Sequence, residues 1–155
     1  FAQARDSRRV EDLNNIRSAI NFYLTTVTTP SLEAGAGVCG TNYWGTVAGA
    51  TESFTGTPSL QAQYGTGVDG TGWVPVDFTA ISGGSPLAVL PNDPLGTDTA
   101  AQSYTYQCNT AAVTFEINAN MESTRYTTAP DNLEDADGGD VTTIYEVGND
   151  PGLNL

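Results

Sequence analysis

The densest set of residues able to do chemistry is an acidic tract near the C-terminus: Asp131, Glu134, Asp135, Asp137 and Asp140. Carboxylates separated by small residues and glycines offer hard oxygen ligands at adaptable positions, which is what calcium requires. Asp135, Asp137 and Asp140 are the candidate ligands. Read as an EF-hand loop, Asp135 and Asp137 fall at the first and third positions and Glu146 at the twelfth. Gly139 then stands at a ligand position and Asp140 replaces the required glycine, so the tract is not that motif. A calcium loop of another kind and a solvated acidic turn both remain open.

Cys39 and Cys108 are the only cysteines, and the chain has no histidine. A Cys/His zinc site is therefore excluded, and two thiolates alone rarely hold zinc. A disulfide is the more economical reading and implies an oxidising compartment, with two buried free thiols as the alternative. Without an imidazole there is no Ser-His triad and nothing to activate a cysteine nucleophile. Carboxylate pairs could serve glycoside hydrolysis, but no pair stands out among so many acids. Gly65, Gly67, Gly70 and Gly72 lack the lysine and the following helix of a phosphate-binding loop. The residues point away from an enzyme.

Charge narrows the partners. The net charge is -13 and there is no lysine, so nucleic acid is not an expected partner. Four of the five basic residues, Arg5, Arg8, Arg9 and Arg17, lie in the first seventeen positions. A mildly basic leading segment thus precedes a strongly acidic body. Two surfaces of opposite sign on one molecule attract each other between copies, head to tail. No run of about 18 apolar residues exists to span a bilayer.

The elements that must position these residues are unevenly legible. Residues 1–29 read as an amphipathic helix, with Val10, Leu13, Ile16, Ile20, Tyr23 and Val27 at three- and four-residue steps. Arg8, Arg9, Glu11, Asp12, Asn14 and Asn15 fall mostly on the opposite side. Thr25 to Pro30 ends the helix with β-branched residues and a proline. Residues 30–155 form the head: 30–101 loop-rich, 102–155 a sheet and C-terminal loop. Within the loop region, Leu60–Tyr64 and Trp73–Val76 are weak strand or turn candidates, and Ile81–Leu87 a short helix. Tyr43, Trp44, Phe54, Tyr64 and Trp73 either pin that region to the core or stack on sugars or a neighbouring subunit. Tyr104–Cys108 and Val113–Asn118 alternate as half-buried strands of a hairpin, and Thr142–Val147 adds a further strand. The expected fold is α+β in one domain, a long N-terminal helix on a small antiparallel sheet.

In that order of elements the chain resembles bacterial type IV pilins and the major pseudopilins of type II secretion. The resemblance is carried by Ala4 to Ile16, by the corner Leu90-Pro91-Asn92-Asp93-Pro94, and by Tyr104 to Cys108. Phe115 to Ser123 and the tail from Asp137-Gly138-Gly139-Asp140 to Gly148 carry the rest, leaving about residues 35–75 unplaced. It implies a non-catalytic subunit of an extracellular or cell-surface filament. The partners would be copies of itself in a helical array and other, minor pilins. Arg5, Arg8, Arg9 and Arg17 would be free to meet acidic neighbours. Calcium near the C-terminus is also implied. Contact with the membrane would come only through an apolar stem of about twenty residues that precedes the present Phe1 in such subunits. The rival class is a secreted carbohydrate-binding or adhesin module.

Overall fold

A computed structural model of the chain describes residues 1–34, 37–50, 54–95 and 101–155. The leading helix, α1, runs Ala2–Thr26. Its stripe of Leu13, Ile16, Ala19, Ile20 and Tyr23 is buried, with Val10, Leu24 and Val27 packed partly against the same core. Burying a side chain of the Leu or Ile class is worth roughly 1.5–3 kcal/mol, so packing rather than propensity holds the helix. At its end the hydroxyls of Thr25 and Thr26 both donate to Phe22 O, at 2.9 and 2.7 Å. Val27 then turns extended, at φ -89° and ψ 129°. One expectation fails on this helix. Arg9 and Asp12 do not lie on a solvent side but are buried beside the apolar stripe, and Asp6 is buried with them.

Five strands make one mixed sheet in the order β2-β1-β3-β4-β5. They are β1 Asn42–Gly45, β2 Ser59–Leu60, β3 Tyr104–Asn109, β4 Thr114–Ala119 and β5 Tyr145–Gly148. β1 pairs parallel with β2 and antiparallel with β3, and the remaining pairs are antiparallel. Two short helices, α2 Thr124–Thr127 and α3 Leu133–Ala136, join β4 to β5. One sheet face presents Trp44, Tyr104, Tyr106, Phe115, Ile117, Tyr145 and Val147 to α1 and to Trp73, Val74, Val76 and Phe78. Trp44 meets Tyr106 edge-on at 5.8 Å and Trp73 leans on Tyr104 at 5.9 Å. These are geometries that aromatic quadrupoles favour.

The α+β class stands, and several details are corrected. The strands of the hairpin are not half-buried. Their alternate residues Thr105, Gln107, Glu116 and Asn118, and Glu146 on β5, are buried as well. Leu155 N donates to Glu116 Oε2 and Val141 N to Glu146 Oε2, so the C-terminus and the turn before β5 lie over the second face. The strand expected from Thr142, β5, begins at Tyr145. Of Leu60–Tyr64 only Leu60 is in a strand, and Trp73–Val76 is buried without being one. Ile81–Leu87 is not helical. The helical turn lies just before it, at Phe78–Ala80, where the Asp77 carboxylate accepts from Thr79 N. Gly83, Gly84 at φ 91° and Pro86 deny the following residues a helix. Tyr43, Trp44, Phe54 and Trp73 are all buried, which favours their pinning role.

Candidate functional site

The arginines of α1 converge on one buried knot at its N-terminal half. Arg9 Nε and Nη2 donate to the two oxygens of Asp93 at 2.6 and 2.8 Å, a planar fork on a carboxylate. Its Nη1 donates to Asp6 Oδ1 at 2.7 Å and to Glu122 Oε2 at 2.8 Å. Arg5 closes the knot through Nε on Glu122 Oε2, 2.6 Å. Asp6 also accepts from the backbone N–H groups of Glu122 and Ser123, at 2.9 and 2.8 Å. The corner at Leu90–Pro94 thus supplies Asp93, and the segment after β4 supplies Glu122.

Electrostatics follow from this packing. Burial alone would push the Asp6 carboxyl up. Hydrogen bonds from Ser123, Glu122 and Arg9 outweigh it, and its pKa ends lowered. Contact with Arg5 and Arg9 holds Glu122 below its ordinary value as well. Burial disfavours the Arg9 charge, yet bonds to Asp93, Glu122 and Asp6 raise its pKa overall. A second contact sits one turn along: Tyr104 Oη donates to Asp12 Oδ2 at 2.9 Å while Arg8 Nε holds Asp12 Oδ1 at 2.9 Å. Burial raises the pKa of Asp12 despite both partners.

The expectation that all four arginines stay free for neighbouring copies is therefore corrected. Arg9 has no exposed surface and Arg5 is bound to Glu122, so both are used within the chain. Arg8 keeps an exposed side chain although it touches Asp12 and Glu11. Arg17 is half-buried with no ion pair among the described residues, at the rim of a cleft of about 430 Å³ shared with Asp137, Glu146 and Asp150. Composition hid this division. Only Asp93, next to a restrictive proline in a tight corner, carried a local sign of a fixed carboxylate.

The acidic tract is spread over α3 and the turn after it. Asp135 and Asp140 are exposed. Asp137 accepts from Gly139 N at 2.8 Å and from Glu146 N at 2.7 Å, capping the open edge of β5. The oxygens of Asp135, Asp137 and Asp140 are not gathered into one ligand cluster. Among the described residues the sole such cluster of acids and cysteines is Glu33, Cys39 and Cys108. Its two sulfurs are joined to each other, so it offers no thiolate. The Cys39–Cys108 disulfide ties the loop before β1 to β3 across 69 residues of sequence, a bond that an oxidising compartment sustains. No described helix is long and apolar enough to cross a membrane. No family model matches the chain, and no curated protein or solved structure matches it significantly.

Proposed function

We propose that the chain is the head and lower helix of a structural, non-catalytic subunit of a bacterial surface filament, of the type IV pilus or type II secretion pseudopilus class. The observation that carries this reading is a 25-residue helix whose second half is buried on the sheet and whose first half is clamped by the Arg9 knot. Such a helix leaves the head in a fixed direction, because Asp93 and Glu122 hold it from two separate segments. A filament needs that constancy: each subunit must present the same angle to the next, or a helical array does not propagate. The disulfide fits an extracellular location.

The rival reading as a carbohydrate-binding module loses its main support, since Trp44 and Trp73 are fully buried and Tyr43 and Phe54 nearly so. The test is deletion of the gene in the producing cell. Loss of surface filaments in electron micrographs, or of protein secretion, supports the subunit role. Unchanged filaments together with unchanged secretion contradict it.

A further inference from the structure

The cluster of Glu33, Cys39 and Cys108 lies outside both the arginine knot and the acidic tract. One oxygen of Glu33 and the two sulfurs all lie within 4.8 Å of one another. Neighbours hold the Glu33 carboxylate in place: Cys39 N donates to Oε2, and Thr110 Oγ1 donates to Oε1 at 3.0 Å. No arginine pairs with it among the described residues. A half-buried carboxylate thus sits beside two sulfurs that, joined as a disulfide, do nothing to balance its charge. Beside the same two cysteines opens a cleft of about 420 Å³, lined further by Val38, Thr55, Asn109 and Thr110.

A disulfide is a poor metal ligand, whereas a thiolate is a strong one. A dithiol entering the cleft can open the bond. Its own two sulfurs join as a disulfide, and two electrons and two protons pass to Cys39 and Cys108. The pair then offers two soft donors beside one carboxylate, a donor set that zinc accepts. We propose that the reduced chain binds one zinc ion through Glu33, Cys39 and Cys108, with water from the cleft as the fourth ligand. The ion displaces both thiol protons to solvent. Tetrahedral zinc, with bonds of about 2.3 Å to sulfur, holds two sulfurs about 3.8 Å apart. The backbone allows that separation. Cys108 is fixed in β3, whereas Cys39 lies on an exposed loop between Val38 and Gly40, with open space beside Gly40. Glu33 is the third ligand that two thiolates alone lack, and its bond from Thr110 orients it as outer contacts orient metal-bound carboxylates. Disulfide and zinc exclude each other, so the same residues staple the oxidised chain and hold metal in the reduced one. The site needs no second copy of the chain and stands whether or not the chain assembles.

The test uses the full chain, reduced with a phosphine, desalted under argon and titrated with ZnCl2 by calorimetry and thermal melting. CoCl2, taking the place of zinc, reports thiolate ligation as a sulfur-to-metal absorption band. One zinc per reduced chain and that band are expected, with neither in the oxidised chain. Zinc at a hundredfold excess over the dissociation constant is expected to raise the Tm of the reduced chain by about 5–10 °C. Glu33→Gln keeps the shape and is expected to weaken zinc by about tenfold or more, and Cys39→Ser to abolish the band. Where reduction alone unfolds the chain, zinc is expected to restore a cooperative melt, and failure to do so overturns the proposal. Absence of the band overturns it too, as does unchanged zinc affinity in Glu33→Gln. Equal affinity in the oxidised chain has the same force, since it places the ion on the exposed acids.

Discussion

Arg9 carries the largest consequence of any single side chain. It holds Asp6, Asp93 and Glu122 at once, and the first two are as buried as it is. Arg9→Met is expected to destabilise the fold by about 3–5 kcal/mol in urea denaturation, because it strands buried carboxylates that it alone neutralised. Arg9→Lys rescues little, since an ammonium cannot fork onto Asp93 while reaching Glu122. Arg8→Ala costs less, on the order of 1 kcal/mol, because Arg8 is itself exposed and Tyr104 still donates to the buried Asp12. The same knot sets an acid limb. Asp6 and Glu122 titrate below their ordinary values of 3.8 and 4.5 in the fold, so the unfolded chain binds their protons first. Their stabilisation is complete above those ordinary values and is lost as pH falls through the lowered ones. An alkaline limb belongs to Glu146, raised to about 8 by burial and then by Glu116 and Asp137. Its contribution is complete below 4.5 and fades as pH rises through about 8. Melting curves from pH 2 to 9 check both limbs, and Glu146→Gln should flatten only the second.

Among elements, α1 and the β3–β4 hairpin form the frame, and the disulfide fastens the loop region to it. Replacing Cys39 and Cys108 together with Ala is expected to cost on the order of 4 kcal/mol, the entropy of a loop of this length, read by denaturant titration. The hairpin turn offers a gain instead. Val113, exposed and held at φ 56°, is a β-branched residue in left-handed backbone, so Val113→Asn should stabilise by roughly 1 kcal/mol. These elements were legible to different degrees. The helix stripe from Leu13 to Tyr23 and the alternation of Tyr104 to Cys108 show their periods openly, because each runs long enough to repeat. β1 did not, since four residues amid glycines and threonines carry too little pattern. Its strand exists because Trp44 lies opposite Tyr106. Burial on both sheet faces was also invisible, as Glu116, Asn118 and Glu146 look like solvent positions until the C-terminus and the turn 137–141 cover them. The Arg9 knot was hidden for a related reason. Its acids come from positions 6, 93 and 122, joined only by the fold.

At the scale of the whole molecule, the proposed filament role draws on a helix locked to its head and on a strongly acidic body. The pairs left for contact between copies are few, because Arg5 and Arg9 are used internally. Arg8 and Arg17 remain. Arg8→Ala with Arg17→Ala is therefore expected to shorten or abolish filaments in micrographs of cells whose purified variant subunit still melts cooperatively. The most direct measurement is immunogold electron microscopy of the producing cell, with antibodies raised against the purified chain. Gold at regular intervals along surface filaments, or along a filament spanning the cell envelope, is the expected result. Label scattered over the cell body or in the medium, with filaments bare, would contradict the account.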